Sequence, residues 1–240
     1  MTDKKLTLIE HLEELRKRII IIALAIVVAS SISYIYIDEI TEMLIKPAKG
    51  MNFVYLTPPE LFLTYIKIAF SMGIITAMPI ILYQIWVFVK PGLKKKERSY
   101  IFLSFIMAFG FFVLGTVFSY LVIIPLTIEF FTKMARTDIL PVFSIKSYIS
   151  FCSSIILSFG LTFQMPLLII LLTQLNLVTP MMLKKARKYL VLVIFIVAAV
   201  LTPPDIISQV LMAVPLWLLL ELSIALSSLL YRSKIRGKSL

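Results

Sequence analysis

Residues 16–37 read RKRIIIIALAIVVASSISYIYI, three basic side chains followed by 19 residues that carry no charge. The hydrocarbon core of a bilayer is about 30 Å thick, and a helix needs about 20 apolar residues to cross it. The uncharged stretch, residues 19–37, is therefore long enough to span a membrane. A cleavable signal peptide has a shorter apolar core followed by small residues, so we expect this segment to remain as a membrane anchor.

The rest of the chain continues in the same way. Of its 240 residues 60% are hydrophobic, and the mean hydropathy is +0.99. Both values lie outside the range of soluble domains. The apolar segments are long and continuous, unlike the short alternating strands of a membrane barrel, so the predicted fold class is all-α integral membrane. We predict six transmembrane helices in a single membrane domain, at 19–37, 66–89, 100–124, 148–175, 189–201 and 206–230.

The fifth predicted helix is unusually short. Its 13 residues reach about 20 Å at about 1.5 Å per residue, less than the thickness of the hydrocarbon core. The break Thr202-Pro203-Pro204-Asp205 follows at once. The fifth and sixth segments are therefore predicted to form a helical hairpin that does not reach the far membrane surface.

The basic residues predict the orientation. Of 24 Lys and Arg residues, 18 lie in residues 1–18, 90–98, 184–188 and 231–240. Cytoplasmic loops are enriched in Lys and Arg, so both termini are predicted to be cytoplasmic, with 1–18 as an amphipathic segment and 231–240 as a basic tail. The same rule explains the net charge of +11 without nucleic acid as a partner.

The loops on the other side differ in kind. Residues 38–65 and 125–147 are long, mixed in charge and contain several prolines, and we expect them to fold as a cap over the outer helix ends. Pro79, Pro166 and Pro215 fall within or beside predicted spans. Proline removes a helical hydrogen bond and tends to bend a helix, so three of them favour a curved wall over a straight bundle.

Few residues could carry chemistry. No nucleophile–base pair, metal-ligand cluster or phosphate-binding glycine loop is present, so we predict neither an enzyme nor a bound metal or cofactor. Gln164 and Glu221 lie inside apolar segments. A charge at the membrane midplane costs at least ~2.5–3.5 kcal/mol, which makes Glu221 a candidate intramembrane functional acid. A neutral, protonated carboxyl group is one way to lower that cost. Gln164 is predicted to make an interhelical hydrogen bond.

Two acids stand close to the membrane among basic residues. Glu10, Glu14 and Arg18 recur four residues apart, which predicts i,i+4 pairs on a helix surface, and a carboxylate rim is the alternative. Glu97 is the only acid in residues 90–98. It either stabilises the N-terminus of the next helix or binds a cationic ligand.

Several strings resemble one known family. The chain is similar to TatC, the multispanning subunit of the Sec-independent, twin-arginine protein translocase, in strings that cover nearly its whole length in the correct order. These strings are HLEELRKR at 11–18, YQIWVFVKPGL at 83–93, KER at 96–98, FG at 159–160 with Phe163 and Pro166, and LTPPD at 201–205.

The resemblance implies a fold and a function. The expected fold has six transmembrane helices in a curved, cupped wall with an outer cap and both termini inside. The expected function is that of a core receptor, which binds twin-arginine signal peptides of folded proteins at the cytoplasmic face of the bacterial inner membrane. It would associate with itself and recruit TatA-type and TatB-type single-span subunits for export driven by the proton gradient.

The resemblance also assigns residues. It implies signal-peptide binding by Glu14, Glu97, Arg16 and Phe88, and partner-helix contact by Gln164, Pro204 and Asp205. Gln164 departs from the family, where this position is commonly Glu, and Glu221 matches an acidic family position. A small-solute secondary transporter is the alternative function, although it would need several polar groups that converge at midplane.

Overall fold

The computed structural model describes residues 8–92, 95–134, 142–175, 177–201 and 206–236. Within them, nine α-helices and two short β-strands are formed. The helices are α1 Leu8–Ile35, α2 Ile37–Ile45, α3 Pro58–Val89, α4 Lys95–Phe118, α5 Ile124–Met134, α6 Ile145–Thr162, α7 Met165–Gln174, α8 Pro180–Leu201 and α9 Ile206–Arg236. The strands are β1 Asn52–Val54 and β2 Val142–Ser144.

Five stretches of helix in the described part of the chain are long and apolar enough to cross a membrane. They are Ile9–Ile35, Pro58–Val89, Phe102–Lys133, Ile145–Thr173 and Met212–Leu229. They correspond to the first, second, third, fourth and sixth predicted segments. The fifth lies in α8, a 22-residue helix in which four basic residues precede the apolar part at 189–201.

The observed helices are longer than the predicted segments. The second begins at Pro58 rather than at residue 66, and the third continues through a π-helical turn, Ser119–Ile123, into α5 and ends at Met134 rather than at 124. Helical hydrogen bonds do not stop where the apolar residues stop, so hydropathy gives the membrane-embedded length of a helix and not its ends.

The helices pack in a row. α1 lies along α3, α3 contacts α4 and α6, α4 contacts α6 and α7, and α9 contacts α7 and α8. Close approach of α1 to α3 depends on Gly73, where a Cβ atom would lie 2.7 Å from the Ser30 backbone nitrogen. A row with α1 at one end is the arrangement that a wall of helices requires.

A smaller buried cluster joins α3, α4 and α7, and the larger one is built mainly from α6, α8 and α9. Phe159, Ile155 and Leu220 are fully buried there. The fourth span is interrupted at Phe163 and Gln164, and α7 restarts with Pro166 as its second residue, where a missing N–H costs little. Pro166 thus lies at a break in its span, whereas Pro79 and Pro215 lie inside continuous helices.

The two long loops join through a β-ladder that the sequence analysis did not predict. β1 and β2 pair in parallel, with Asn52 opposite Val142, Phe53 opposite Phe143 and Val54 opposite Ser144. Strands of three residues are too short to show an alternating pattern, so the all-α prediction missed them. We call α2, the turn Lys46–Ala48, β1 and β2 the cap.

Polar side chains fasten the cap to the helices. Glu60, buried in the first turn of α3, accepts the Leu56 N–H (2.8 Å) with one carboxylate oxygen and the Ser144 hydroxyl (2.6 Å) with the other. The Tyr148 hydroxyl donates to the Leu44 carbonyl and the Tyr120 hydroxyl to the Met43 carbonyl, both at 2.7 Å. The last turn of α2 is therefore held by two phenols from the helices beneath it.

Candidate functional site

Two predicted site residues lie at one end of the hairpin that α3 and α4 form. Phe88 is the penultimate residue of α3, and a single 3₁₀ turn, Lys90–Gly92, follows that helix. α4 begins at Lys95, so Glu97 is its third residue. The side chain of Glu97 lies outside the described residues, but the backbone places it in the first turn of α4, where the helix dipole favours a carboxylate.

Helix α1 brings a third predicted residue, Glu14, to the same end. The His11 ring stacks on the Phe88 ring, with ring centroids 4.4 Å apart and planes 20° apart. Two turns further along α1, Arg18 Nη1 donates to Gln84 Oε1 at 2.9 Å. Residues three and four apart share a helix face, so Glu14 sits between these two contacts on the side of α1 that meets α3.

Glu14 is itself paired. Its Oε1 accepts from Arg18 Nη2 at 3.2 Å, and the two side chains are only 21% and 22% exposed. The predicted i,i+4 pair is therefore formed. Arg18 Nε is buried and has no partner among the described residues. One guanidinium thus bridges the Glu14 carboxylate on α1 and the Gln84 amide on α3.

Arg16 lies elsewhere. Two residues along a helix correspond to a rotation of about 200°, which turns Arg16 away from the face that carries Glu14. Its side chain is exposed and lines a shallow cavity of about 310 Å³ with Glu13 and Lys17. The structure therefore brings together Glu14 and Phe88, and it separates Arg16 from them.

Gln164 occupies the break between α6 and α7. Its Nε2 donates to the Ala108 carbonyl of α4 at 3.0 Å, so the predicted interhelical hydrogen bond is formed. Its Oε1 is buried and has no partner among the described residues. The kink and this cross-helix hydrogen bond fix the amide in the wall between α4 and α7.

Glu221 is not isolated in the membrane interior. Its Oε2 accepts from Arg187 Nη2 at 2.6 Å, and Arg187 belongs to the basic N-terminal part of α8. Glu221 is therefore level with the charged end of α8, and an ion pair lowers the cost of burying it. Its Oε1 is buried and has no partner among the described residues.

The predicted partner contacts Pro204 and Asp205 lie outside the described residues. Four residues after Asp205 in the sequence, Gln209 makes a described polar contact. Its Nε2 donates to the Phe195 carbonyl at 3.0 Å. This bond ties the beginning of α9 to α8, consistent with the predicted hairpin.

The sequence analysis missed three residues that build the site. His11, Arg18 and Gln84 position α1 on α3, yet none of them was predicted as a site residue. A signal was available for Gln84, a polar side chain inside an apolar segment and one helical turn before Phe88.

Among the described residues, no group of three or more His, Cys, Asp or Glu side chains could hold a metal ion. The single cysteine, Cys152, is buried. The polar groups of the site are instead arranged as ion pairs and amide contacts at one end of a row of apolar helices. The fold and the site together define a multispanning membrane protein with a cluster of charged and polar side chains where α1 meets α3, beside the start of α4.

The family follows from comparison with known proteins. The family model described as TatC, Sec-independent protein translocase protein, matches residues 10–215. The chain therefore belongs to the TatC family. It is a multi-pass membrane protein of the Sec-independent translocase and not an enzyme.

Relatives match over nearly the full chain. A Sec-independent protein translocase protein TatC of Carboxydothermus hydrogenoformans is 43% identical over 241 residues, 99% of each chain. TatCy of Bacillus subtilis is 37% identical and covers 97% of this chain and 92% of its own. A crystal structure titled as the twin arginine translocase receptor TatC superposes with a TM-score of 0.82 at 35% identity, covering 91% of this chain and 98% of that one.

Proposed function

We propose that this chain is the core receptor of the twin-arginine translocase. It binds twin-arginine signal peptides of folded proteins at the cytoplasmic face and recruits TatA-type and TatB-type subunits for export driven by the proton gradient. One observation carries the proposal most directly: α1 holds Glu14 beside Phe88, at the end of α3 that leads into the first turn of α4, which contains Glu97.

The chemistry of the ligand fits this arrangement. A guanidinium is planar and offers paired N–H donors that match the two oxygens of a carboxylate, whereas an ammonium is a point charge without that fork. Two adjacent arginines in an extended peptide need two carboxylates on different elements. Glu14 on α1 and Glu97 on α4 meet this requirement, and the lysines nearby repel cationic peptides that cannot form both forks.

Topology supports the cytoplasmic location. The site lies at the end of α3 and α4 where the sequence places Lys90 and residues 94–98, and 18 of the 24 basic residues belong to loops and termini on that side. We infer six spans in a curved wall in a bacterial inner membrane, with both termini cytoplasmic, the cap outside, and α8 and α9 as a short hairpin.

The partner helices have a candidate contact in the wall. Gln164 marks the kink between α6 and α7, and Pro204 and Asp205 lie in the sequence between the end of α8 and the start of α9. A small-solute transporter would need polar groups that converge at midplane. Gln164 and Glu221 do not converge, because one bonds to Ala108 and the other to Arg187.

A peptide-binding titration tests the proposed site. The purified full-length protein in lipid nanodiscs is titrated with a fluorescent twin-arginine signal peptide and with the same peptide carrying Lys-Lys. Glu14→Gln is expected to weaken twin-arginine binding about tenfold or more, because a charge-assisted hydrogen bond contributes about 1.5–3 kcal/mol. Glu97→Gln is expected to act in the same direction.

Glu13→Gln is the matched control, since it removes the same charge from the next residue, whose exposed side chain faces the cavity that Arg16 lines. The wild-type protein is expected to bind the Lys-Lys peptide much more weakly. Equal affinity for the two peptides would refute the carboxylate-fork account.

A further inference from the structure

The Glu14 carboxylate already holds an arginine that belongs to this chain. Arg18 lies one turn after Glu14, and its Nη2 donates to Glu14 Oε1. A guanidinium is the chemical group that the proposed ligand would bring to the same carboxylate. The site is therefore occupied by an internal copy of its ligand's recognition group.

We propose that Arg18 is an internal competitor, which occupies Glu14 at rest and is displaced by an arginine of the signal peptide. This inference rests on the proposed function and deepens it, because it assigns a regulatory residue to the same site. Arg18 acts through Glu14 and Gln84 and makes no contact with the ligand in this scheme.

The geometry of Arg18 suits displacement. Its contact with Glu14 is a single N–O distance of 3.2 Å, longer than the 2.7–2.9 Å typical of N⁺–H···O⁻ hydrogen bonds. Its Nε is buried and has no partner among the described residues, which is an unfavourable state for an N–H group. The resting pair is thus weaker than the two-pronged pair that a ligand guanidinium could form.

Gln84 provides the place to which Arg18 can withdraw. The Gln84 side chain is buried, and its Oε1 accepts from Arg18 Nη1 at 2.9 Å, a shorter contact than the one with Glu14. Arg18 can keep this hydrogen bond while it releases the carboxylate. Displacement then exchanges one guanidinium for another at Glu14, and the released Arg18, whose side chain is 22% exposed, keeps its hydrogen bond to Gln84.

Selectivity against lysine comes from the pair that replaces Arg18. A ligand arginine replaces the single contact of Arg18 with a two-pronged pair, which offsets the loss of the internal pair. A ligand lysine would replace a guanidinium with a point charge, and it would gain no fork to offset that loss. Displacement of Arg18 opposes both peptides equally, so its removal is expected to raise the affinity for both by a similar factor.

The test uses the full-length protein in nanodiscs and the two peptides, twin-arginine and Lys-Lys. Arg18→Gln is expected to bind the twin-arginine peptide about fivefold more tightly than the wild type, since a partly exposed ion pair is worth up to about that factor. Its preference for twin arginine over Lys-Lys is expected to stay constant, because both peptides must displace Arg18. Lys17→Gln is the matched control for charge, because it removes a positive charge from the next residue, which is exposed.

A second variant separates competition from simple positioning. Gln84→Leu removes the alternative partner, so Arg18 depends on Glu14 alone and twin-arginine binding is expected to weaken about threefold to fivefold. The double variant with Arg18→Gln is expected to bind as tightly as Arg18→Gln does, because the effect of Gln84 passes through Arg18. Arg18→Lys retains the charge and replaces Arg18→Gln in the test if that variant does not fold. Its affinity for the twin-arginine peptide is expected to lie between those of the wild type and Arg18→Gln.

The results distinguish the two proposals. Suppose that the wild type prefers the twin-arginine peptide but Arg18→Gln binds it no more tightly than Lys17→Gln does. That result overturns the competitor role of Arg18 and leaves the proposed function standing. Weakened binding in both Arg18→Gln and Gln84→Leu does the same, since it assigns Arg18 a positioning role. Loss of the peptide preference in the wild type removes the proposed function and this inference with it.

Discussion

At the scale of single residues, the Glu221–Arg187 pair is asymmetric. Arg187 is 49% exposed, whereas Glu221 is 29% exposed and has one oxygen buried without a partner among the described residues. A guanidinium that loses its partner here can turn to water or lipid headgroups. A carboxylate that loses its partner stays inside the protein, where an unpaired charge is costly.

We therefore predict unequal effects of the two neutralising substitutions. Arg187→Gln is expected to lower the free energy of unfolding by about 1–3 kcal/mol, and Glu221→Gln by less. The measurement is thermal unfolding of the purified protein in detergent, followed by intrinsic fluorescence. The double variant is the control, and it is expected to be more stable than Arg187→Gln because no carboxylate is left unpaired. Equal losses in the two single variants would contradict this interpretation.

Residue contacts within one helix could be predicted from the sequence, whereas the partner in a contact between helices could not. The Glu14–Arg18 pair follows from i,i+4 spacing alone. The Arg18–Gln84 hydrogen bond depends on how α1 is placed along α3, which the close approach at Ser30 and Gly73 determines. No spacing rule gives that placement, so Gln84 was missed although it lies within a string that resembles the family.

At the scale of secondary-structure elements, Glu60 connects α3 to the segment just before it and to the end of β2. Its two oxygens hold the Leu56 N–H, just before α3, and the Ser144 hydroxyl at the end of β2. Pro58 and Pro59 provide a rigid first turn for α3, which fixes the position of the carboxylate. The β1–β2 ladder is only three residues long on each strand, so it depends on such side-chain contacts.

We predict that Glu60→Ala releases the cap. Two donors lose their acceptor at once, and each one left buried and unsatisfied costs about 1–3 kcal/mol. Hydrogen exchange measured by mass spectrometry on the protein in nanodiscs is expected to rise in residues 51–57 and 142–146. Glu39→Ala is the control, because Glu39 is an exposed acid of α2. Unchanged exchange in Glu60→Ala would show that the ladder does not depend on this carboxylate.

Hydropathy predicted where helices cross the membrane more reliably than where they begin and end. The apolar segments at 66–89 and 100–124 lie in α3 and in the helix that runs from α4 into α5, but both helices extend beyond them by a turn or more. The extra turns carry polar residues that contact the cap, among them Glu60. The residues that join the two loops therefore lie in the parts of the helices that hydropathy does not detect.

At the scale of the whole molecule, charge and hydropathy together predicted a multispanning protein, and five of the predicted spans are present as long apolar helices. The order in which the helices pack could not be predicted. It follows from small residues such as Gly73 at helix contacts and from the interruption at Pro166, which lets α7 contact both α4 and α9. The row that results leaves large apolar faces of α1 exposed to lipid or to partner helices.

Orientation is the property of the whole molecule that labelling can test most directly. The distribution of basic residues predicts that the N-terminal part of α8 is cytoplasmic and the cap is on the outside, since moving clustered Lys and Arg across a bilayer is strongly opposed. In a Cys152→Ala background, the only native thiol is absent. Lys49→Cys, directly after the Lys46–Ala48 turn of the cap, is then expected to react with a membrane-impermeant maleimide on intact cells.

Lys185→Cys, in α8, is the matched variant, because it also replaces an exposed lysine. It is expected to react only after the cells are permeabilised. If Lys185→Cys reacted on intact cells and Lys49→Cys did not, the orientation would be the opposite of the predicted one. Glu14 and Phe88 would then lie on the outside. Because a cytoplasmic receptor site requires both residues to face inward, this labelling pattern decides whether the site proposed at α1 and α3 can meet a signal peptide before export.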